Sequence, residues 1–408
     1  MRNTPVDPNE LSEIIYRQAN KDICDLEKWF FDAPFLIGKE LQDQFDLVSR
    51  CMARLVRFFA ENAEIWTARY GLDANARRVL SFWRDVPYDP GTYRTDFVFS
   101  DTGLIRLIEV TCRFAMNGYA VSAQQDLIAR KTPKGRAAKA HWMEETTGFF
   151  RFLAKAMGAQ RDIIVLTGSD LRNESRFLER AFEDTEFTFS RLPLNEVPQN
   201  LDRLETAFIY SELSLEELGA LPDAVLEILA RRRILNDPRT SFFVHDKAFF
   251  AFIYDVDLLN SVLGQDAVPF QRHILPCYLR TPETADIWEQ AKSQRTSWIL
   301  KHRTQGKSQE IYAGVMHDDV QWQRLFEGSF LDNFVLQKFE PQKRYTGFQS
   351  GQLLTHYVAG TLLLADGRSF GPGEFRTCEN PVSNTGEFRK ISCLLTDTPT
   401  TDYNGTWI

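Results

Sequence analysis

The chain has 408 residues, of which 43% are hydrophobic and 25% charged, the balance of a globular protein with a sizeable core. Its net charge of −8 and the lack of any long Lys/Arg run argue against a nucleic-acid partner, because phosphate binding needs a basic surface. The N-terminus has no apolar signal segment, and no apolar run approaches the roughly 20 residues that span a bilayer. We therefore expect a cytoplasmic protein without a membrane partner.

The six cysteines are scattered, with no C-x-x-C pair and no histidine at zinc-ligand spacing. This distribution predicts reduced, mostly buried thiols, as in cytosolic proteins. The 32 phenylalanines indicate a core rich in aromatic packing.

Hydrophobic spacing predicts helices over most of residues 9–85, where apolar side chains such as Trp29 and Phe30 recur at helical intervals. These residues show no chemistry of their own, so we expect them to build or cap a core. Pro87, Pro90 and Gly91, which disfavour helix and favour turns, mark the end of this region.

The rest of the chain alternates strand and helix patterns. The predicted strands lie at 97–99, 104–110, 161–167, 186–190, 207–210, 298–301, 334–337 and 356–364, and the predicted helices lie within 123–158, 172–183 and 214–232. A turn is expected at 100–103, and Asp366 with Gly367 forms a second turn after the last strand. The fold class is therefore α/β (α+β), without an internal repeat.

One candidate anion site follows the strand that ends in Lys301, where a short loop contains Gly306, Lys307 and Ser308. A lysine at a strand end can meet phosphate oxygens, and glycine lets backbone N–H groups approach an anion. The spacing is not that of a Walker A motif, and a surface hairpin with a lysine would have the same sequence. Both interpretations stay open.

A second candidate lies where the strand at 334–337 runs into Gln337, Lys338 and Phe339, before Pro341. The segment is either a plain strand end or a hinge whose backbone hydrogen-bonds an adenine edge between apolar neighbours.

A third group consists of Arg94 and Asp96 on one strand and Glu109 and Thr111 on the next. A hairpin would bring the two carboxylates together, and like charges in one site need compensation, which Mg²⁺ can supply. The alternative is an exposed turn with Arg94 paired to Asp96, although Glu109 ends an apolar run where an unpaired carboxylate is unusual.

Two more cationic residues stand in distinctive surroundings. Lys247 follows Asp246 at the start of a very apolar segment, and Arg376 closes a glycine-rich stretch at 371–376. Lys247 could simply be a lysine at a helix start, and Arg376 an arginine in a loop, without any binding role. Each is also a candidate ligand of phosphate or acyl phosphate.

The order of these motifs resembles that of the ATP-grasp ligases of the glutathione synthetase type, most closely the synthetase domain of glutathionylspermidine synthetase. The resemblance covers residues 86–390 and implies an ATP-grasp-like fold in four parts. These are a helical N-terminal region (1–85), a strand-rich metal and substrate segment (86–158), a small α/β domain (159–240) and a nucleotide-binding region (241–408).

The same resemblance implies an ATP-dependent ligase that uses Mg²⁺ to join a small carboxylate to an amine through an acyl phosphate. Small amino-acid or peptide-like substrates and a possible homo-oligomer are expected. The implied metal ligands are Asp96, Glu109 and Thr111; the implied nucleotide ligands are Lys247, Lys301, Gly306, Lys307, Ser308, Gln337, Lys338 and Phe339; the implied catalytic residues are Arg94 and Arg376.

The sequence departs from the family at Thr111, which replaces an asparagine, at His302, which replaces a proline, and in a lid with fewer glycines. Thr111 and the sparse lid favour one alternative, a non-catalytic nucleotide- or metabolite-binding protein on the same scaffold. A plain α/β scaffold for protein interaction is the other.

Overall fold

The computed structural model describes residues 4–114, 118–131, 142–169, 173–306, 309–382, 388–396 and 406–407. Over these residues the fold is mixed α/β, as the sequence predicts, with helices packed around several sheets. No helix within the described part of the chain has both the length and the apolar character needed to cross a bilayer.

The helices are numbered here in chain order. They are α1 Pro8–Leu26, α2 Lys39–Glu61, α3 Ala63–Arg69, α4 Ala74–Phe82, α5 Tyr119–Lys131, α6 Trp142–Met157, α7 Asn173–Phe182, α8 Leu201–Leu204, α9 Leu215–Gly219, α10 Asp223–Arg232, α11 Pro238–Phe243, α12 Ala248–Ile253, α13 Val256–Leu263, α14 Ala267–Gln271, α15 Ala285–Ser293 and α16 Asp319–Arg324.

The strands follow the same convention. They are β1 Phe35–Ile37, β2 Thr92–Phe99, β3 Ile105–Thr111, β4 Asp162–Thr167, β5 Thr188–Pro193, β6 Phe208–Ser211, β7 Cys277–Leu279, β8 Trp298–His302, β9 Ile311–Ala313, β10 Phe334–Lys338, β11 Arg344–Gln349, β12 Gln352–Ala365, β13 Arg368–Pro372, β14 Phe375–Cys378, β15 Phe388–Ile391, β16 Cys393–Leu395 and β17 Thr406–Trp407.

The long strand β12 organises the largest sheet. Its first half pairs with β11, its middle with β14 and its second half with β2, which in turn pairs with β3. All these pairs are antiparallel. Because β2 and β3 come from the first third of the chain and β12 from the last, the sheet joins segments far apart in sequence.

Two smaller sheets flank this one. The predicted strand–helix–strand pattern is confirmed as a parallel sheet in the order β5-β4-β6, with α7 between β4 and β5. The other sheet is antiparallel in the order β7-β10-β8-β9, which places the predicted strands at Lys301 and Gln337 side by side.

The N-terminal helices contribute to two cores. α1 packs against α5, α6 and α7. The buried face of α2 joins the largest core, which includes Phe59, Phe97 and Phe249. The predicted aromatic packing is therefore confirmed, and the helices supply part of the core as expected.

Three local features differ from the sequence prediction. The helical region is interrupted by β1, which pairs in parallel with β16 near the other end of the sequence. β2 begins at Thr92, five residues before its predicted start at Phe97, because pairing with β12 extends it. The stretch around Gly371 is not a loop: it contains β13 and the start of β14, and both strands pair antiparallel with β12.

Cys51, Cys112, Cys277, Cys378 and Cys393 are free and buried, as the sequence predicts. The side chain of Cys24 lies outside the described part of the structure.

Candidate functional site

The main cavity is a cleft of about 500 Å³ between β2–β3, the β8–β10 sheet and the carboxyl ends of β4 and β6. Lys307 and Ser308 lie outside the described residues. All the other predicted site residues line the cleft: Arg94, Asp96, Glu109, Thr111, Lys247, Lys301, Gly306, Gln337, Lys338, Phe339 and Arg376.

The hairpin of β2 and β3 places the two predicted carboxylates opposite each other. Asp96 is the cross-strand partner of Glu109, and Arg94 is the partner of Thr111. Since side chains two residues apart on a strand share a face, all four project toward the cleft. The sequence-based expectation that a hairpin joins these residues is confirmed.

Asp96 is held by two guanidinium groups. The Nε and Nη2 atoms of Arg94 donate to its two carboxylate oxygens at 2.7 and 3.0 Å, and Nη2 of Arg376 donates at 3.0 Å. The Asp96 side chain is only 3% exposed. The cluster forms because β14 and β2 both pair with β12, which brings Arg376 to Asp96.

Glu109 faces the amino groups of the two predicted phosphate lysines. Its Oε1 lies 3.1 Å from Nζ of Lys247. Burial raises the pKa of Glu109, but the positive charges of Lys247 and Lys301 outweigh it and lower that pKa to about 2. Glu109 is therefore ionised at neutral pH.

Lys301 extends from β8 into the cleft wall. Its Nζ donates to the Ile108 carbonyl at 3.0 Å and to Oε1 of Gln337 at 2.7 Å. Burial lowers the pKa of Lys301 to about 8, against the opposing effect of Glu109. The side chain is thus a fixed, desolvated cation at neutral pH, which favours an incoming anion.

An apolar slot adjoins these lysines. Ile299, Ile311, Phe339 and Val382 line it, packed together with Ala313. A slot of this kind beside cations suits a flat aromatic ring attached to phosphates.

The predicted adenine hinge is only partly open to a ligand. The backbone N–H groups of Lys338 and Phe339 already donate to the carbonyls of Pro276 and Ser297, both at 2.8 Å. Within the described residues, the next N–H, that of Glu340, makes no hydrogen bond. Any donor to an adenine edge is therefore expected one residue beyond Phe339.

The oxygen-bearing side chains at the cleft would hold a magnesium ion only together with phosphates, because both Asp96 oxygens already accept hydrogen bonds from guanidinium groups. Mg²⁺ is usually bound through one or two carboxylates plus phosphate oxygens and water, and Asp96, Glu109 and Thr111 offer oxygens of that kind. Among the described residues, no group of three or more His, Cys, Asp and Glu side chains forms a metal cluster.

Behind Arg376, the buried carboxylate of Glu374 contacts Nζ of Lys390 at 2.6 Å and Nε of Arg376 at 3.8 Å. Burial raises the pKa of Glu374, but Lys390, Arg376 and Arg94 together lower it to about 2. Glu374 thus pairs closely with Lys390 and lies near the guanidinium group that binds Asp96.

The depressed pKa of Glu374 predicts an acid-labile contribution to stability. Because the pKa of Glu374 in the folded protein lies below its ordinary value of 4.5, folding favours the ionised carboxylate. Its contribution to the free energy of unfolding is therefore complete above pH 4.5 and is lost as pH falls toward 2. It amounts to roughly 3 kcal/mol. Denaturant unfolding between pH 2 and 5 should show a shallower pH dependence in Glu374→Gln than in the wild type, and identical slopes would contradict this assignment.

Sequence reasoning missed one wall of the cleft. Arg113, Phe114, Ser169, Ser214, Glu216 and His245 also line it. Ser169 and Ser214 follow the ends of β4 and β6, where ligands bind to parallel sheets. The available signal was the Gly168–Ser169 pair directly after a predicted buried strand, and the structure places Ser169 in the cleft wall.

Arg113 is the cation of this wall. Its Nε donates to the Glu212 carbonyl at 2.9 Å, and its guanidinium lies 4.9 Å from the centre of the Phe114 ring. With an ion pair to Glu217 at 3.6 Å, these contacts fix its orientation on a wall that also carries Ser169, Ser214 and Glu216.

Two likenesses to known proteins accompany this geometry. A family model described as the AnkG N-terminal domain matches residues 46–243. A solved structure of a glutathione synthetase-like effector from Globodera pallida, in its apo form, shares 14% sequence identity at a TM-score of 0.55. That match covers 96% of this chain and 98% of the other. No curated protein matches the sequence.

The second likeness identifies the fold as glutathione synthetase-like. At this identity it concerns the fold alone, and it confirms that part of the resemblance drawn from the sequence. The family match ends at α11, so it includes the Asp96–Glu109 hairpin but not Lys247, Lys301 or the apolar slot.

Proposed function

We propose that the cleft binds ATP and catalyses ATP-dependent ligation of a small carboxylic acid to an amine. The observation that carries the proposal is the placement of two buried lysines, Lys247 and Lys301, between an apolar slot and the Asp96–Glu109 pair. This order matches that of a nucleotide: base, phosphates and metal.

In this proposal each of the four regions of the chain contributes a different part of the structure. Residues 241–408 supply the apolar slot and phosphate lysines, and residues 86–158 supply the metal side. Residues 159–240 supply the wall of Ser169 and Ser214, where the acid or the amine would lie. Residues 1–85 complete the cores.

The reaction would begin with attack of the substrate carboxylate on the γ-phosphate, which forms an acyl phosphate and releases ADP. Lys247 and Lys301 would hold phosphate oxygens, and Arg94 with Arg376 would stabilise the charge that develops during transfer. Asp96, Glu109 and Thr111 would hold Mg²⁺, which neutralises phosphate charge.

The amine would then attack the acyl carbon, forming the C–N bond as phosphate leaves and the amine loses a proton. The loop at Thr304, Gln305 and Gly306 borders the cleft and would limit access of water to the acyl phosphate. Arg113 and Glu216 would orient substrate groups of opposite charge.

A second candidate function, non-catalytic binding of a nucleotide or metabolite, is favoured by a specific observation. Both oxygens of Asp96 are already bonded to guanidinium groups, and Thr111 replaces the family's asparagine. Such a cleft could bind an anion through its cations without turning it over.

Two assays separate these possibilities. Mg·ATP should raise the melting temperature, since a ligand that binds only the native state stabilises it. ADP release with a panel of amines and carboxylic acids should then identify a productive pair. Stabilisation without ADP release across a broad panel would favour the binding protein, and no stabilisation by ATP with or without Mg²⁺ would overturn the ligase and leave only binding of a different metabolite.

A further inference from the structure

An ion pair behind the cleft joins three distant parts of the chain. The Nη2 atom of Arg303 donates to Oδ2 of Asp246 at 2.6 Å, and Nε lies 3.1 Å from both carboxylate oxygens. The Asp246 side chain is 4% exposed and that of Arg303 is 19% exposed. Arg303 directly follows β8, and Asp246 lies between α11 and α12.

The N-terminal helices reach this pair through Tyr70. Its carbonyl, at the end of α3, accepts a hydrogen bond from Nη2 of Arg303 at 3.2 Å. The Tyr70 hydroxyl donates to the carbonyl of Phe243, at the end of α11. The N-terminal helical region, in which the sequence shows no candidate site residue, thus contacts Arg303 itself and the end of the helix that precedes Asp246.

The same contacts fix Lys247. Its backbone N–H donates to the Arg303 carbonyl at 2.9 Å, and its Nζ donates to the Gln305 carbonyl at 2.6 Å. Nζ also lies 3.1 Å from Glu109, across the cleft wall. A flexible four-carbon side chain is placed at a carboxylate only if its backbone and the adjoining loop are themselves fixed.

We infer that the Arg303–Asp246 pair is a positioning device, anchored by Tyr70, that sets Lys247 and the start of the cleft loop against Glu109. Neither Arg303 nor Asp246 lines the cleft, so they act through Lys247 rather than on a ligand. The inference does not depend on the proposed function; of the two experiments below, only the one that measures ATP binding does.

A second buried arginine–aspartate pair, away from the cleft, provides a matched control for a purely structural role of the Arg303–Asp246 pair. Arg239 binds Asp237 with the same two-pronged geometry, at 2.6 and 3.0 Å, and the side chain of Asp237 is 4% exposed, as is that of Asp246. Asp237 and Asp246 each also accept a backbone N–H near a helix start. The Arg239–Asp237 pair does not line the cleft or contact Lys247.

The first experiment needs no ligand. Reductive methylation with formaldehyde, followed by peptide mass spectrometry, measures the reactivity of each lysine in the full-length wild type, Asp246→Asn and Asp237→Asn. We expect Asp246→Asn to raise the reactivity of Lys247 about tenfold, while Asp237→Asn leaves it unchanged. Asparagine keeps the cap acceptor, so folding is favoured in both variants.

Arg303→Lys provides a milder variant, because lysine keeps the charge but loses the two-pronged geometry. It should raise Lys247 reactivity in the same direction. Unchanged Lys247 reactivity in both cleft-side variants, or an equal rise in Asp237→Asn, would overturn the inference.

The second experiment measures the dissociation constant for ATP by calorimetry. Asp246→Asn should weaken binding about tenfold and Asp237→Asn should leave it unchanged, even if both lose similar thermal stability. Absence of ATP binding by the wild type would count against the proposed function, while the lysine reactivities would still decide the positioning role.

Discussion

Replacement of Glu109 by glutamine is expected to lower product formation about a thousandfold, the scale of losing one charged group that acts at the reacting phosphates. Glutamine has the same shape and can still accept the hydrogen bond from Lys247. What it loses is the negative charge of a carboxylate that the neighbouring lysines keep ionised despite burial, with a pKa of about 2. The fold should therefore survive while a divalent cation is no longer attracted.

The measurement is ADP release under saturating ATP and Mg²⁺, with circular dichroism to verify folding. Glu186→Gln is a suitable control, because Glu186 pairs with Arg161 away from the cleft. Near-normal turnover by Glu109→Gln would remove Glu109 from the metal assignment.

Replacement of Lys301 by methionine is expected to weaken ATP binding about a hundredfold. Methionine fills much of the volume of the lysine stem but removes a cation that lies in a desolvated wall, where a charge interacts more strongly than in water. Calorimetric titration with ATP would measure the loss. Lys292→Met, on the exposed side of α15, should bind ATP as the wild type does.

The pKa of Lys301 adds a signature that a structural defect would not show. Since burial lowers this pKa to about 8, the amino group loses its charge as pH rises through that value. ATP affinity of the wild type should fall between pH 7 and 9, and the methionine variant should lack this step. A hundredfold loss without any change in the pH profile would point to a packing defect instead.

Local sequence signals identified β2 to β6, β8, β10 and β12 and several charged cleft residues, because both depend on short-range patterns. Alternating apolar residues predict β2 and β3, and a turn between them suffices to place Asp96 opposite Glu109. Lys301 and Gln337 likewise end apolar strands, although only the structure shows that the two side chains hydrogen-bond.

What the sequence could not supply depends on pairing between distant segments. The contact between Arg376 and Asp96 requires β14 and β2 to flank the same strand, β12. The backbone N–H groups of Lys338 and Phe339 donate hydrogen bonds to the carbonyls of Pro276 and Ser297. No local sequence pattern connects these two acceptors to residues 338 and 339. The wall at Arg113 was missed for the same reason, since it forms only when β3 meets the edge of the parallel sheet.

The central position of β12 has a consequence for the order in which the protein folds. The β2–β3 hairpin can form early from local contacts, but its other edge remains unsatisfied until residues 352–365 are synthesised. Closing a loop of this length is slow compared with forming a hairpin. A fragment that ends at residue 243, where the family match stops, would carry Asp96 and Glu109 on an open edge, prone to pairing with other chains.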